Sequence, residues 1–389
     1  MKGRNLLMVP GPIEFEPAVL AAMAEPTTSH VAADFIEVFG QALERTRRVF
    51  LSQDGQPFVV AGSGTLAMDM AGANLVEPGD RVLVVNTGYF GDRFGALLER
   101  YGAVVAHLRA PVGSRPSLEA IEAELSREDY KLVTVTQVDT STGVLADVAG
   151  VARLARQHGA LCVVDGVCSV AGEELRMSAW GVDVAFSASQ KAIGVPPGLA
   201  LLVAGPRALA AFRARVTPVS NYYADWSHWL PIMEAYEARR PAYFGTPPVN
   251  LVAALNVSLG RILDEGMEER FGRHRVLAAA CRAGIKALRL TQVPRADNFA
   301  AHTMTAPRYP ESISAANFLS FAHEAGVILA GGLHPDIRNQ YFRIGHMGPN
   351  TVGDVLATIG AVETGLARAG YRLERGVGLA AAARAAAEE

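Results

Sequence analysis

Lysine is scarce in this chain: lysine and arginine together number 36, and only Lys2, Lys131, Lys191 and Lys286 are lysines. Arginine serves wherever a generic cation suffices. Lys191 stands apart because it follows the strand-like run DVAFSASQ and sits among small and apolar neighbours, from Ala188 to the Val195-Pro196-Pro197-Gly198 turn. Desolvation there disfavours the ammonium form, and a neutral amine can condense with an aldehyde to give a Schiff base, which arginine cannot do. In VVAGSGTLAMDMA (59–71) a strand runs into Gly62-Ser63-Gly64-Thr65 and then into a helix. Backbone N–H groups freed by that turn, with the positive end of the helix dipole, form an anion pocket flanked by two hydroxyls. Gly62-x-Gly64-x-x-Ala67 also matches a dinucleotide fingerprint, but Val84-Val85-Asn86-Thr87 stands where the ribose-binding acid is expected.

Asp165 ends the apolar run ALCVVD, at the edge where open α/β sheets gather their sites. A carboxylate there needs a partner: a protonated pyridine nitrogen, an arginine or a helix N-terminus would each serve. An imine-forming amine, a phosphate cup and a strand-end carboxylate are together what pyridoxal phosphate requires.

The elements that must position these groups follow from hydrophobic period. From about residue 30 to 205, helical patterns (35–50, 65–76, 91–101, from 117, 147–158) alternate with apolar, β-branched runs (57–61, 81–86, 103–108, 131–138, 160–165, 183–189, 199–205). This pattern predicts an α/β domain with a mostly parallel sheet covered on both faces. Beyond about 250, longer helices and a few short strands, QYFRIGH among them, predict a smaller α+β domain. The expected division is an N-terminal arm (1–20), a large domain (21–250) and a small domain (251–389). Residues 216–250, rich in proline and aromatics, fit neither period, and a long irregular segment is usually functional. The Ala-rich terminus reads as a frayed helix end.

Composition excludes several classes. A net charge of −3 leaves no global basic field for nucleic acid or an anionic membrane. Cys162, Cys168 and Cys281 make neither a disulfide scaffold nor a C-x-x-C metal site, and a reducing compartment suits them. Pro10 and Pro12 interrupt the N-terminal apolar patch, and no run reaches the length of a membrane span. A cytoplasmic protein acting on a small molecule is the expectation.

The order GSGT, VNTGYFGDR, TQVDTSTGVLADV, VVDGVCSVAG, FSASQKAIGVPPG, YFGTPPV and YFRIG resembles the class V, fold-type I aminotransferases, in the alanine–glyoxylate and serine–pyruvate branch. The resemblance runs from VPGPIEF to the last helices and implies a large domain with a seven-stranded sheet. By matching positions it implies that Lys191 carries the cofactor and that Asp165 partners the pyridinium nitrogen. Phe90 would stack on the ring, a place often held by Trp. Ser63, Gly64, Thr65 and Gln190 would hold the phosphate, Thr140 would face the ring hydroxyl, and Val167 would lie against the ring. Tyr243 and Thr246 would reach the phosphate of a neighbouring subunit, implying a homodimer. Arg343 would bind the substrate carboxylate, since its planar fork matches two carboxylate oxygens.

The implied reaction moves an amino group from alanine to glyoxylate. Serine–pyruvate, serine–glyoxylate and ureidoglycine–glyoxylate exchange are the alternatives, because one hydroxyl in a permissive pocket changes discrimination by only about a hundredfold. A cysteine-desulfurase-type lyase is disfavoured, as none of the cysteines lies in the loop AGGLHPDIRNQ (330–340). A Schiff-base aldolase would need neither the phosphate cup nor Asp165, and a cofactor-free binding protein would be colourless. Tyr222, Tyr223 and Trp226 read equally well as pocket wall or interface.

Overall fold

Seven of the expected apolar runs form one sheet in a computed structural model that describes residues 5–388. Lys2 and the other first residues of the expected arm, like Glu389, lie outside the described residues. The strands are β1 (Gln56–Gly62), β2 (Arg81–Asn86), β3 (Val104–Arg109), β4 (Leu132–Thr136), β5 (Leu161–Asp165), β6 (Val184–Ala188) and β7 (Gly198–Ala204). Their spatial order is β1-β7-β6-β5-β4-β2-β3. Only β7 runs against its neighbours, antiparallel to both β1 and β6. The other six share one direction.

Every residue of β4, β5 and β6 is buried, which is why these strands read as continuous apolar runs rather than alternating ones. Sharing a direction, six strands deliver their C-terminal ends to one edge. Residues 62–65, 86–90, 136–140, 165–167 and 189–191 therefore meet there, although they are far apart in the chain.

A second core forms around Leu277, Phe318, Phe342, Ile344, Ile359 and Leu366. It lies against a three-stranded antiparallel sheet in which Phe342–Gly345 runs between Met304–Thr305 and Ala330–Gly331. The N-terminal residues Leu6–Leu7 pair in parallel with Val327–Ile328, and Met8 enters the same core. The helix Val249–Glu265, by contrast, buries Val252, Leu255 and Leu259 in the core of the large sheet. Among the described residues no helix is long and apolar enough to cross a membrane.

Two segments differ from the sequence reading. Inside 216–250 there is a helix, Trp226–Glu237, started by the Asp225 carboxylate accepting from the Ser227 N–H at 2.7 Å. Its buried residues Trp226, Trp229, Met233 and Tyr236 recur at helical spacing. Pro231 masks that period, because it removes one helical hydrogen bond in the second turn. The Ala-rich terminus is a regular helix, Val377–Glu388, packed on Met267–Ala287 with Ala382 fully buried.

A buried carboxylate from the preceding helix holds this last helix in place. Glu363 accepts from the N–H groups of Gly376 (2.7 Å), Gly378 (2.8 Å) and Leu379 (3.2 Å), three donors that a helix start leaves open. Glu363→Ala is expected to cost about 1–3 kcal/mol of stability in a denaturant titration. It should also speed amide exchange across 377–388, with β4 to β6 unaffected.

Candidate active site

Three strand ends and two helix starts enclose a cavity of about 170 Å³ at the C-terminal edge of the large sheet. It brings together Ser63, Gly64, Thr65, Phe90, Thr140, Asp165, Val167, Gln190 and Lys191, all singled out from sequence. A larger groove of about 580 Å³ lies elsewhere, near Arg289 and Arg308, and contains none of these groups.

The cup is built by close approach. After β1 the chain turns at Ser63, which starts the helix Gly64–Leu75 and whose own side chain makes no capping bond. A Cβ on Gly64 would lie 2.9 Å from Val167 Cγ2, so only glycine lets this turn sit against the loop after β5. Gln190 follows β6, and its Oε1 is buried without a partner among the described residues, as is Thr136 Oγ1 on the opposite wall.

Lys191 leaves the turn between β6 and β7, which Ser189 ties by donating to the Pro196 carbonyl (2.8 Å) and accepting from the Leu199 N–H (3.2 Å). The Lys191 Nζ donates to the Pro10 carbonyl. Gly11 lies so close, with φ +97°, that any side chain there would collide with the lysine. Burial lowers the affinity of this amine for its proton, and the Arg343 charge adds to that effect while Asp165 opposes it.

Asp165 shows the converse. Burial, with a smaller push from the Asp139 charge, raises its carboxyl from the usual value to about 7, against the N–H of Val167 donating at 3.0 Å. A fully buried carboxylate with one backbone donor is a site prepared for a cation.

Phe90 belongs to the helix Tyr89–Arg100, whose start is held by a carboxylate not singled out from sequence. Asp139 accepts from the Phe90 N–H at 3.0 Å and from the Ser141 hydroxyl at 2.5 Å, while Ser141 Oγ accepts from the Tyr89 N–H at 3.0 Å. Gly88 allows this approach, since a Cβ there would lie 2.7 Å from the Asp139 carboxyl carbon. Met68, Arg93, Thr136, Val138 and Cys168 also line the cavity. Their signal was positional: Asp139 lies within TQVDTSTGVLADV and Arg93 stands one helical turn beyond Phe90.

Arg343 arrives from the small sheet. Its Nε donates to the Gly331 carbonyl (2.8 Å) and Nη1 to the Thr140 carbonyl (3.2 Å), so the guanidinium is locked beside the cavity wall. Tyr341, two residues earlier, donates to the Ser141 carbonyl and accepts from the N–H groups of Leu333 (2.8 Å) and His334 (2.9 Å). The two residues together fasten the small domain to the loop that holds Phe90. Tyr243 and Thr246 do not join the cavity of their own chain: both are exposed, and the Tyr243 ring lies tilted against His30 with ring centroids 5.3 Å apart.

Residues 18–347 match the family model described as aminotransferase class-V. The chain belongs to the class-V aminotransferases. It is 41% identical over 360 residues to alanine–glyoxylate aminotransferase 1 of Saccharomyces cerevisiae, a match covering 89% of this chain and 93% of that one. It is 33% identical to an L-aspartate–glyoxylate aminotransferase of Paracoccus denitrificans, covering 98% and 96% of the two chains. Among solved structures, the ureidoglycine–glyoxylate aminotransferase of Bacillus subtilis superposes with a TM-score of 0.92 at 28% identity, covering 100% of this chain and 99% of that one.

The cofactor of this class-V aminotransferase is pyridoxal phosphate, and the residues present fit it. The glycine-dependent turn at Ser63, which opens a helix start, the under-bonded Asp165 and the buried amine of Lys191 have the chemistry that its phosphate, ring nitrogen and aldehyde call for.

The raised Asp165 value has a measurable consequence without cofactor. A carboxyl held higher in the folded state than in the unfolded chain contributes stability that is complete below about pH 4 and is lost as pH climbs towards about 7. Cofactor-free protein should therefore lose stability across that window in thermal denaturation. Asp165→Asn should flatten the loss, leaving the variant more stable near pH 8 by on the order of 1–3 kcal/mol. The same variant should retain pyridoxal phosphate poorly.

Proposed function

We propose that this aminotransferase moves the amino group of alanine to glyoxylate, giving pyruvate and glycine. The observation that carries this reading is the 41% identity, over nearly the full length of both chains, to a protein named for that activity. Arg343 supports it from the geometry, because a locked, planar guanidinium beside the lysine suits the carboxylate that amino acid and oxo acid have in common.

When bound, pyridoxal phosphate supplies an aldehyde that takes up the amino group and a ring that accepts the electron pair left as the α-proton departs. We assign Lys191 to hold that aldehyde and to move the proton between the substrate's α carbon and the cofactor's C4′, a task suited to an amine whose charged form is disfavoured. Asp165 keeps the ring nitrogen protonated. Phe90 and Val167 would bracket the ring, Thr140 would face its hydroxyl, and Ser63, Gly64, Thr65 and Gln190 would hold the phosphate.

The working unit in this reading is a homodimer in which Tyr243 and Thr246 complete the phosphate site of the neighbouring subunit. Their exposure, with that of Tyr222 at 73%, supports an interface on this face. The three buried, unpaired thiols suit a reducing compartment such as the cytoplasm.

The test is a half-reaction screen, in which coloured holoenzyme is mixed separately with alanine, serine, aspartate and ureidoglycine while loss of the lysine-linked cofactor absorbance is followed. Alanine is expected to convert the cofactor fastest; a faster conversion by any other donor would transfer the assignment to that donor. Lys191→Ala should abolish the absorbance itself. Arg343→Lys should raise KM for both alanine and glyoxylate by about ten- to a hundredfold while cofactor retention barely changes, and unaltered substrate kinetics would remove Arg343 from the site.

A further inference from the structure

The cup formed by Ser63, Gly64, Thr65 and Gln190 contains only neutral donors, whereas the phosphate end of the cofactor carries close to two negative charges. A dianion drawn into a partly buried pocket needs a compensating charge, and neutral hydrogen bonds replace only part of its lost hydration. Two cations line the cavity, Lys191 and Arg93. Lys191 is committed to the aldehyde, at the opposite end from the phosphate.

Arg93 remains, and its surroundings leave it available. It stands on the helix Tyr89–Arg100, one turn beyond Phe90, with its guanidinium carbon 5.0 Å from the centroids of both the Tyr89 and the Phe90 rings. Nη2 donates to the Tyr89 hydroxyl at 3.1 Å, which orients the fork. Nη1 lies 3.4 Å from Thr65 Oγ1, at the helix start that makes the cup. Among the described residues Arg93 joins no ion pair, and the adjacent Asp92 is occupied by Arg109 and Asn86. An arginine that is aromatic-stacked, oriented by a hydroxyl, without a carboxylate and facing a cup of neutral donors is poised for an anion.

We propose that Arg93 is the cationic anchor of the cofactor phosphate, binding it together with the Thr65 hydroxyl. The inference rests on the assignment of residues 62–65 and Lys191 as the two ends of the cofactor site. It gives Phe90 a second task, since the ring that faces the cavity also lies against the guanidinium. Arg93 further favours the ionised form of Asp165, so one side chain assists both anions of the site.

The test compares two probes on full-length protein stripped of cofactor: pyridoxal phosphate, and pyridoxal, which keeps the aldehyde and ring but lacks the phosphate. Arg93→Gln is expected to weaken pyridoxal phosphate about ten- to a hundredfold, read as the dissociation constant from the absorbance of the lysine-linked form. Pyridoxal affinity should stay within about twofold, and Arg93→Lys should recover part of the loss. Equal weakening of both probes would assign Arg93 to packing around the ring. Unchanged affinity for both, with only a higher KM for the amino acid, would assign it to substrate; either result overturns the proposal. The underlying assignment of the site fails differently: wild-type protein would then show no absorbance that Lys191→Ala removes.

Discussion

A carboxylate at the end of a fully buried strand, bonded by a single backbone N–H, is the constraint on which this structure turns. Asp165 is pushed towards its neutral form, because burial outweighs the Val167 hydrogen bond. Close by, Lys191 meets the opposite difficulty, and burial drives its amine towards neutrality. In the reading proposed above, one molecule with a basic ring nitrogen at one end of a conjugated system and an aldehyde on it relieves both, so that keeping two such groups near each other rewards cofactor binding.

Rigid elements hold these groups at their stations. Asp165 ends a strand buried on both faces, and Lys191 lies in a turn fastened by Ser189 and covered by the Pro10-Gly11 segment of the N-terminal arm. Phe90 is held through Asp139, a buried carboxylate spent on starting a helix rather than on chemistry. The loop carrying Asp139 also supplies the carbonyls that Tyr341 and Arg343 grip from the small domain. A shift of the small domain is thereby felt both at Phe90, which lines the cavity, and at the Arg343 guanidinium beside it. Contacts of this kind tie the small domain to the wall of the cavity, and they use backbone carbonyls that a side-chain motif does not reveal.

Much of this architecture was legible in the residues. Continuous apolar runs between amphipathic helices predicted the seven-stranded sheet, and β4, β5 and β6 are as buried as those runs required. Glycine at 62 and 64, a scarce lysine after a strand and an acid at a strand end pointed to the chemistry, because each residue type is costly in that place without a purpose. The helix Trp226–Glu237 escaped because Pro231 masks a helical period otherwise carried by Trp226, Trp229, Met233 and Tyr236. Asp139 and Arg93 escaped because aspartate beside a turn and arginine on a helix are ordinary until their neighbours are known.

The sequence by itself determined which segments are strands and helices and which side chains can do chemistry, since hydrophobic period and residue type are local properties. Tertiary structure alone decided that residues near 63, 90, 140, 165 and 190 share one cavity, that Asp139 serves Phe90, and that Arg93 faces the cup with no carboxylate partner among the described residues. The reason is physical. Strand order, burial and the pairing of charges depend on packing between segments far apart in the chain, and desolvation acts on a group only after that packing has removed the water around it.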